Sequence, residues 1–132
     1  MRTLILFLLC LIGALLSCQP DADLLAPADL TGRTWLESHE ERPAGSDVQV
    51  YRPDTYAFPP SWPRQGFRFD DGGVLTAYGA SPADAPETYP GRWEQEGAGT
   101  YRLTYTMRGQ VVSYRLELIS LANDVLKARR LP

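Results

Sequence analysis

From about residue 30 onward, apolar and polar positions alternate with a period of two, and short polar or glycine-rich turns interrupt the alternation. That pattern predicts half-buried antiparallel strands. Gly66-Phe67-Arg68-Phe69-Asp70 sets the theme, with Phe67 and Phe69 on one side and Arg68 and Asp70 on the other. Asp71-Gly72-Gly73 then supplies residues that tolerate positive φ, and residues 74–79 read as the returning strand. In residues 100–107, Tyr101, Leu103, Tyr105 and Met107 share one face, while Arg102, Thr104 and Thr106 share the other. Arg108-Gly109-Gln110 turns the chain into residues 111–120, where Val112, Tyr114, Leu116 and Leu118 form an apolar row. Ala122-Asn123-Asp124 turns it once more into residues 125–131.

Three further strands are expected at residues 33–40, carrying Trp35, at 47–51, with Val48 and Val50 on one side, and at 91–96, anchored by Trp93. Two proline-rich stretches, 52–64 and 80–90, read as loops, and no segment has a helical period. Regular short strands with tight turns predict an all-β domain. Eight of them in sequence order would close as an antiparallel up-and-down barrel, which removes exposed sheet edges. A sandwich of the same strands is the alternative. The barrel is preferred because the connections after residue 91 are hairpin-short.

The first residues have a different pattern. Met1-Arg2 gives a short positive start, and residues 4–16 are apolar apart from Cys10 and Gly13. A membrane-spanning helix needs roughly 20 apolar residues, so this run reads as an export signal. Its end, Leu15-Leu16-Ser17-Cys18, resembles the bacterial lipobox, in which the signal is cut before a cysteine that is then acylated, commonly with palmitate. An uncleaved anchor or an ordinary secretory signal with an incidental cysteine is the alternative. The expected organisation is a signal peptide (1–17), an acylated tether (18–29) and a barrel domain (30–132). Residues 24 and 25, both leucine, could instead begin a short helix against the barrel end.

Composition changes this picture in two respects. The formal net charge is −3 and becomes one unit more negative when Arg2 leaves with the signal, so nothing marks a nucleic-acid partner. The only cysteines are Cys10 and Cys18, which leaves the domain without disulfide, thiolate nucleophile or cysteine metal ligand.

Leu30-Thr31-Gly32-Arg33-Thr34-Trp35, Gly66-Phe67-Arg68-Phe69 with its Asp-Gly turn, Gly91-Arg92-Trp93 and Asp124-Val125-Leu126-Lys127 resemble the small bacterial lipocalin-like lipoproteins. Phe58-Pro59-Pro60-Ser61 is similar to a loop of Bacteroidetes members. Gly32 and Trp35 enclose two residues where the lipocalin signature has one. The resemblance therefore implies a fold and an envelope location rather than a particular chemistry. Gln19 is not the aspartate that commonly holds bacterial lipoproteins in the inner membrane, so the analogy implies the outer membrane, facing periplasm or cell surface.

Catalytic chemistry finds no support in the residues. His39 could share a strand face with Glu37 and Glu41 as a metal site, but the adjoining Arg42-Pro43-Ala44-Gly45 makes a solvated strand end the plainer reading. Asp70-Asp71 reads as hairpin chemistry, not as an acid–base pair. No cofactor, metal or enzymatic activity is expected. Trp35, Phe67, Phe69, Trp93, Tyr101 and Tyr105 fall on core-facing positions and could line an apolar ligand site or simply fill the barrel. Trp62, in the loop that also holds Tyr56 and Phe58, could stand at the mouth of such a site, form a plug, or contact another protein. The expectation is a lipid-anchored barrel that binds a small apolar molecule, with a structural or protein-interaction lipoprotein as the alternative.

The anchor is directly testable. Two or three acyl chains hold a protein stably on a membrane, whereas one does so marginally. Cys18→Ala should move the protein out of the membrane fraction. Membrane retention of the variant, with no acyl mass on the wild type, would disprove the assignment.

Overall fold

The computed structural model describes residues 27–132. The expected signal peptide, Cys18 and the tether as far as residue 26 lie outside the described residues. A single helical turn, α1 (Pro27–Leu30), leads into eight strands: β1 (Thr34–Glu37), β2 (Val48–Pro53), β3 (Gly66–Asp70), β4 (Val74–Ala80), β5 (Pro86–Gly97), β6 (Thr100–Met107), β7 (Gln110–Ala122) and β8 (Val125–Leu131). They form one closed barrel in the order β1-β2-β8-β7-β6-β5-β4-β3, every neighbour antiparallel. The closed eight-stranded antiparallel barrel expected from the alternation is the fold.

From β3 to β8 the strands follow one another around the barrel as hairpins. The turns use the backbone conformations their residues favour. Arg108-Gly109 and Asn123-Asp124 each place two consecutive residues at positive φ, the geometry of a two-residue hairpin loop matched to strand twist. The start of the chain departs from strict sequence order, because β1 inserts between β2 and β3. Trp35 faces Pro53 at the end of β2 and Phe67 at the start of β3. The connection 54–65 must therefore run back along the outside of β1 instead of entering a barrel end. That corrects the expectation of a plug.

Two strand boundaries also differ from expectation. β1 ends at Glu37 and passes into a 3-10 turn, His39–Glu41. β5 begins at Pro86, inside the segment expected as a loop. Over residues 86–90 it pairs with β4 alone, because pairing to β6 starts at Gly91. Proline is tolerated there because a half-free strand has an edge that needs no N–H donors.

Inward-facing side chains pack into one core. Trp35, Phe67, Phe69, Leu75, Tyr101, Leu103, Leu116 and Leu126 are buried, and Trp93 and Tyr105 pack against them while staying partly exposed. On β2 the inward residue is Tyr51, whose ring lies 4.9 Å from that of Phe67. Val50, on the opposite side of that strand, is also buried. Both core indoles are satisfied: Trp35 Nε1 donates to the Leu30 carbonyl (3.0 Å) and Trp93 Nε1 to that of Asp70 (2.8 Å). Close strand approach demands glycine at two points. A Cβ on Gly66 would collide with the Trp35 carbonyl, and one on Gly91 with that of Thr104.

Trp35 is fully buried, and truncating such a side chain costs about 3–5 kcal/mol, much of a small domain's stability. Trp35→Ala should therefore lower the denaturant midpoint strongly or prevent folding. Arg102 makes an exposed ion pair with Glu96 and an exposed bond to Ser113 Oγ (3.3 Å), so Arg102→Ala should shift stability by less than about 1 kcal/mol. Equal midpoints for the two variants would refute the face assignment.

Candidate functional site at the open barrel end

The two ends of the barrel are built differently. At one end, where β3 turns into β4 and β7 into β8, α1 is drawn down by the buried Leu30 and its bond from Trp35, and Gly32 N donates to the Phe69 carbonyl (2.7 Å). Below it, Phe69, Trp93 and Tyr101 form an aromatic cluster with ring centroids 5.3–5.9 Å apart. The core is closed at this end, and a cleft of about 220 Å³ lies outside it between Asp29, Arg33 and the β7–β8 turn. The Tyr101 hydroxyl is buried there without a hydrogen-bond partner among the described residues, and burial raises its pKa.

The opposite end is open. Here β4 finishes, β5 begins, and the β6–β7 hairpin turns. A cavity of about 390 Å³ lies between them. Its lining includes five of the chain's seven tyrosines (Tyr51, Tyr78, Tyr89, Tyr105 and Tyr114) together with Phe67, Arg108 and Arg130. The space exists in part because Gly79 continues the inward row of Leu75 and Ala77 on β4 without a side chain. The volume falls within the usual range for small-molecule sites.

A second aromatic group organises the mouth. Tyr89 and Tyr105 lie nearly parallel with centroids 6.0 Å apart, and Tyr114 stands perpendicular to Tyr105 at 6.4 Å. The Arg130 guanidinium sits 3.9 Å from the Tyr114 ring centroid. Arg108, on the hairpin, donates to the Ala80 carbonyl (2.7 Å) and pairs with Glu87 at 3.5 Å, tying β6–β7 to the end of β4. Tyr89 donates to Glu87 (2.8 Å) and Tyr51 to Gln49 (2.8 Å). Burial raises the phenol pKa of Tyr51, Tyr89 and Tyr114, so all three are neutral hydroxyls near pH 7.

The expected ligand-facing residues divide between the ends. Phe67 and Tyr105 line the cavity. Trp35, Phe69, Trp93 and Tyr101 belong to the packed core and do not line it. Trp62 is 73% exposed and lies in a separate cleft of about 370 Å³ with Glu37, His39 and Ser61, which meets the cavity only at Gln65. The mouth residues that sequence reasoning passed over were visible as register. Arg130 falls at the same parity as Leu126 and Ala128, and Tyr89 at that of Gly91 and Trp93.

His39, Glu37 and Glu41 do not share a strand face, because β1 stops at Glu37. The neighbouring carboxylates are engaged otherwise. Arg64 binds Glu40 through two nitrogens (2.8 and 2.5 Å), donates to the Glu37 and Pro59 carbonyls, and stacks 4.4 Å from the Phe58 ring. Arg52 binds Glu41 through two nitrogens (2.9 and 2.7 Å) and stacks 4.6 Å from Tyr56. Each arginine thus fastens the crossover 54–65 to the His39–Glu41 turn. Compared with known proteins, the chain matches no family model, no curated protein and no solved structure.

The two clamps carry a pH signature. Hydrogen bonds from Arg64 hold the Glu40 carboxyl at about 2, and those from Arg52 and then Ser38 hold Glu41 at about 2, against an ordinary value of 4.5. Folded values below unfolded ones mean that the contribution is complete above about pH 4.5 and is lost as pH falls toward 2. The melting temperature should fall through that window. In Arg64→Met the pKa of the Glu40 carboxyl should rise toward 4.5 by NMR, with a backbone hydrogen bond still holding it somewhat below, and an unchanged low value would show that Arg64 does not set it.

Proposed function

We propose that this protein is a lipid-anchored barrel of the cell envelope, akin to the small bacterial lipocalin-like lipoproteins, that binds a small molecule at its open end. The observation that carries the reading is the contrast between the ends: one is closed by α1 over the aromatic core, and the other holds a tyrosine-lined cavity of about 390 Å³. A fold that merely needed stability would gain by filling that space, since each unfilled contact forfeits dispersion energy. The wholly apolar interior ligand suggested by the sequence gives way to an amphipathic one. Its ring or chain would lie against Phe67 and the tyrosine faces, with hydroxyls and guanidinium groups meeting its polar part.

A second reading rests on Trp62. A largely exposed tryptophan flanked by Pro60, Ser61 and Pro63 on a clamped loop is a rigid aromatic contact, which suits a protein partner in the envelope.

Native mass spectrometry of the acylated protein, purified from its own membrane, tests the first reading. A bound small molecule is expected on the wild type. It should be lost in Gly79→Leu, which fills the cavity: a Cβ there meets only the Tyr89 ring edge, at 3.4 Å. A protein partner retained by the wild type and lost in Trp62→Ala, with no small molecule on either, would favour the second reading instead.

A further inference from the structure

We infer that the ligand of the open end is an anion on a flat ring, an aromatic carboxylate in the simplest case, and that Arg130 is the residue that selects its charge. This inference rests on the small-molecule reading above and adds the chemical class. Arg130 extends the inward row of β8 beyond the buried Leu126 and Ala128, so the barrel register carries a permanent cation to the cavity wall. At the rim Arg130 stays exposed to solvent and packs against the Tyr114 ring. Among the described residues, no carboxylate lies within ion-pair distance of it.

The geometry of Arg130 suits capture of an oxyanion. Its guanidinium lies 3.9 Å from the Tyr114 ring centroid. The ring covers part of the group, and a guanidinium carries five N–H donors, more than the Tyr114 phenol can take. A carboxylate can take two of them side by side. Arg108 is committed to Glu87 and the Ala80 carbonyl. Glu37, in the inward row of Trp35, lines the neighbouring cleft and lies near enough to act on the Tyr51 and Tyr114 phenols, but it makes no ion pair with Arg130 among the described residues. Arg130 is therefore the cation left for a ligand.

The flat-ring requirement comes from the walls. Tyr105 presents one ring nearly parallel to Tyr89 and perpendicular to Tyr114, so the cavity offers aromatic faces in two orientations within about one ring's width. The neutral phenol of Tyr114 stands beside the same guanidinium and can donate to the same oxyanion.

The test compares two probes of one shape, 2-naphthoate and 2-naphthamide, which differ in charge. Binding is measured by calorimetry on the full acylated protein in phosphatidylcholine nanodiscs, with empty nanodiscs subtracted, at physiological ionic strength. A charge-assisted pair predicts naphthoate binding about tenfold or more tightly than naphthamide. Arg130→Gln should reduce naphthoate to the level of naphthamide while leaving the melting temperature unchanged, because the side chain is exposed. Equal affinities in the wild type, or a preference that survives Arg130→Gln, would overturn the anionic class while leaving the small-molecule reading in place. Binding of neither probe would overturn the aromatic carboxylate, and naphthoate binding that survives cavity-filling Gly79→Leu would overturn the open end as its site and with it the small-molecule reading.

Discussion

The structure depends on the closure of the barrel through β1. Only four residues long, it is the strand on which both β2 and β3 pair, and without it the sheet would be open at two edges. Four residues make few ladder bonds, so the closure is reinforced from both faces. Inward, Trp35 is wholly buried and bonded to Leu30. Outward, the crossover 54–65 lies along the strand and returns its backbone to it at each end, Asp54 N to the Thr34 carbonyl and Glu37 N to that of Gln65. Arg52 and Arg64 then fix that crossover, each with a two-point carboxylate bond and an aromatic face. Exposed ion pairs are weak singly, but paired geometry with stacking makes these better than the average surface bridge.

That arrangement explains why the proline-rich loop neither plugs nor covers the barrel. Its aromatic residues are spent on the arginine clamps: Tyr56 on Arg52 and Phe58 on Arg64. Trp62, beyond the second clamp, is left exposed. Both barrel ends are thereby released from the loop. One is closed by α1, and the other keeps whatever its own inward rows provide.

Much of the fold was legible because it is local. Alternation in β6 and β7, and the turn residues Asp71-Gly72-Gly73, Arg108-Gly109 and Asn123-Asp124, specify adjacent pairings that a reader can make without knowing the rest. The exchange of β1 and β2 was not legible, because it is decided by contacts across a long connection that carries no periodicity. Nor was the first half of β5. Pro86 and Pro90 argue against a strand until it is known that only one of its edges is paired there. For the site, the aromatic residues were found but not their level along the barrel axis. Phe67 and Phe69 are two positions apart on one face, yet one lines the cavity and the other the sealed core. Alternation assigns a side chain to a face. Barrel tilt and shear assign its height, and those follow only from closure.

Height is also what gives this barrel a site at all. Eight strands enclose little more than their own side chains, so a ligand cannot be held in the middle without sacrificing core. Here the large residues, Trp35, Phe69, Trp93 and Tyr101, are gathered toward one end, and Gly79 with five of the tyrosines toward the other. The stabilising core and the cavity are thus separated along one axis instead of competing for one volume. Tyrosine serves that division well: its ring continues the apolar wall of the core while its hydroxyl meets water or a polar ligand group. An arginine in the next inward position of β8 completes the gradient from buried hydrocarbon, through phenol, to fixed positive charge. On the proposed function, the cavity would orient a ligand with its apolar part directed inward and its charged part at the rim.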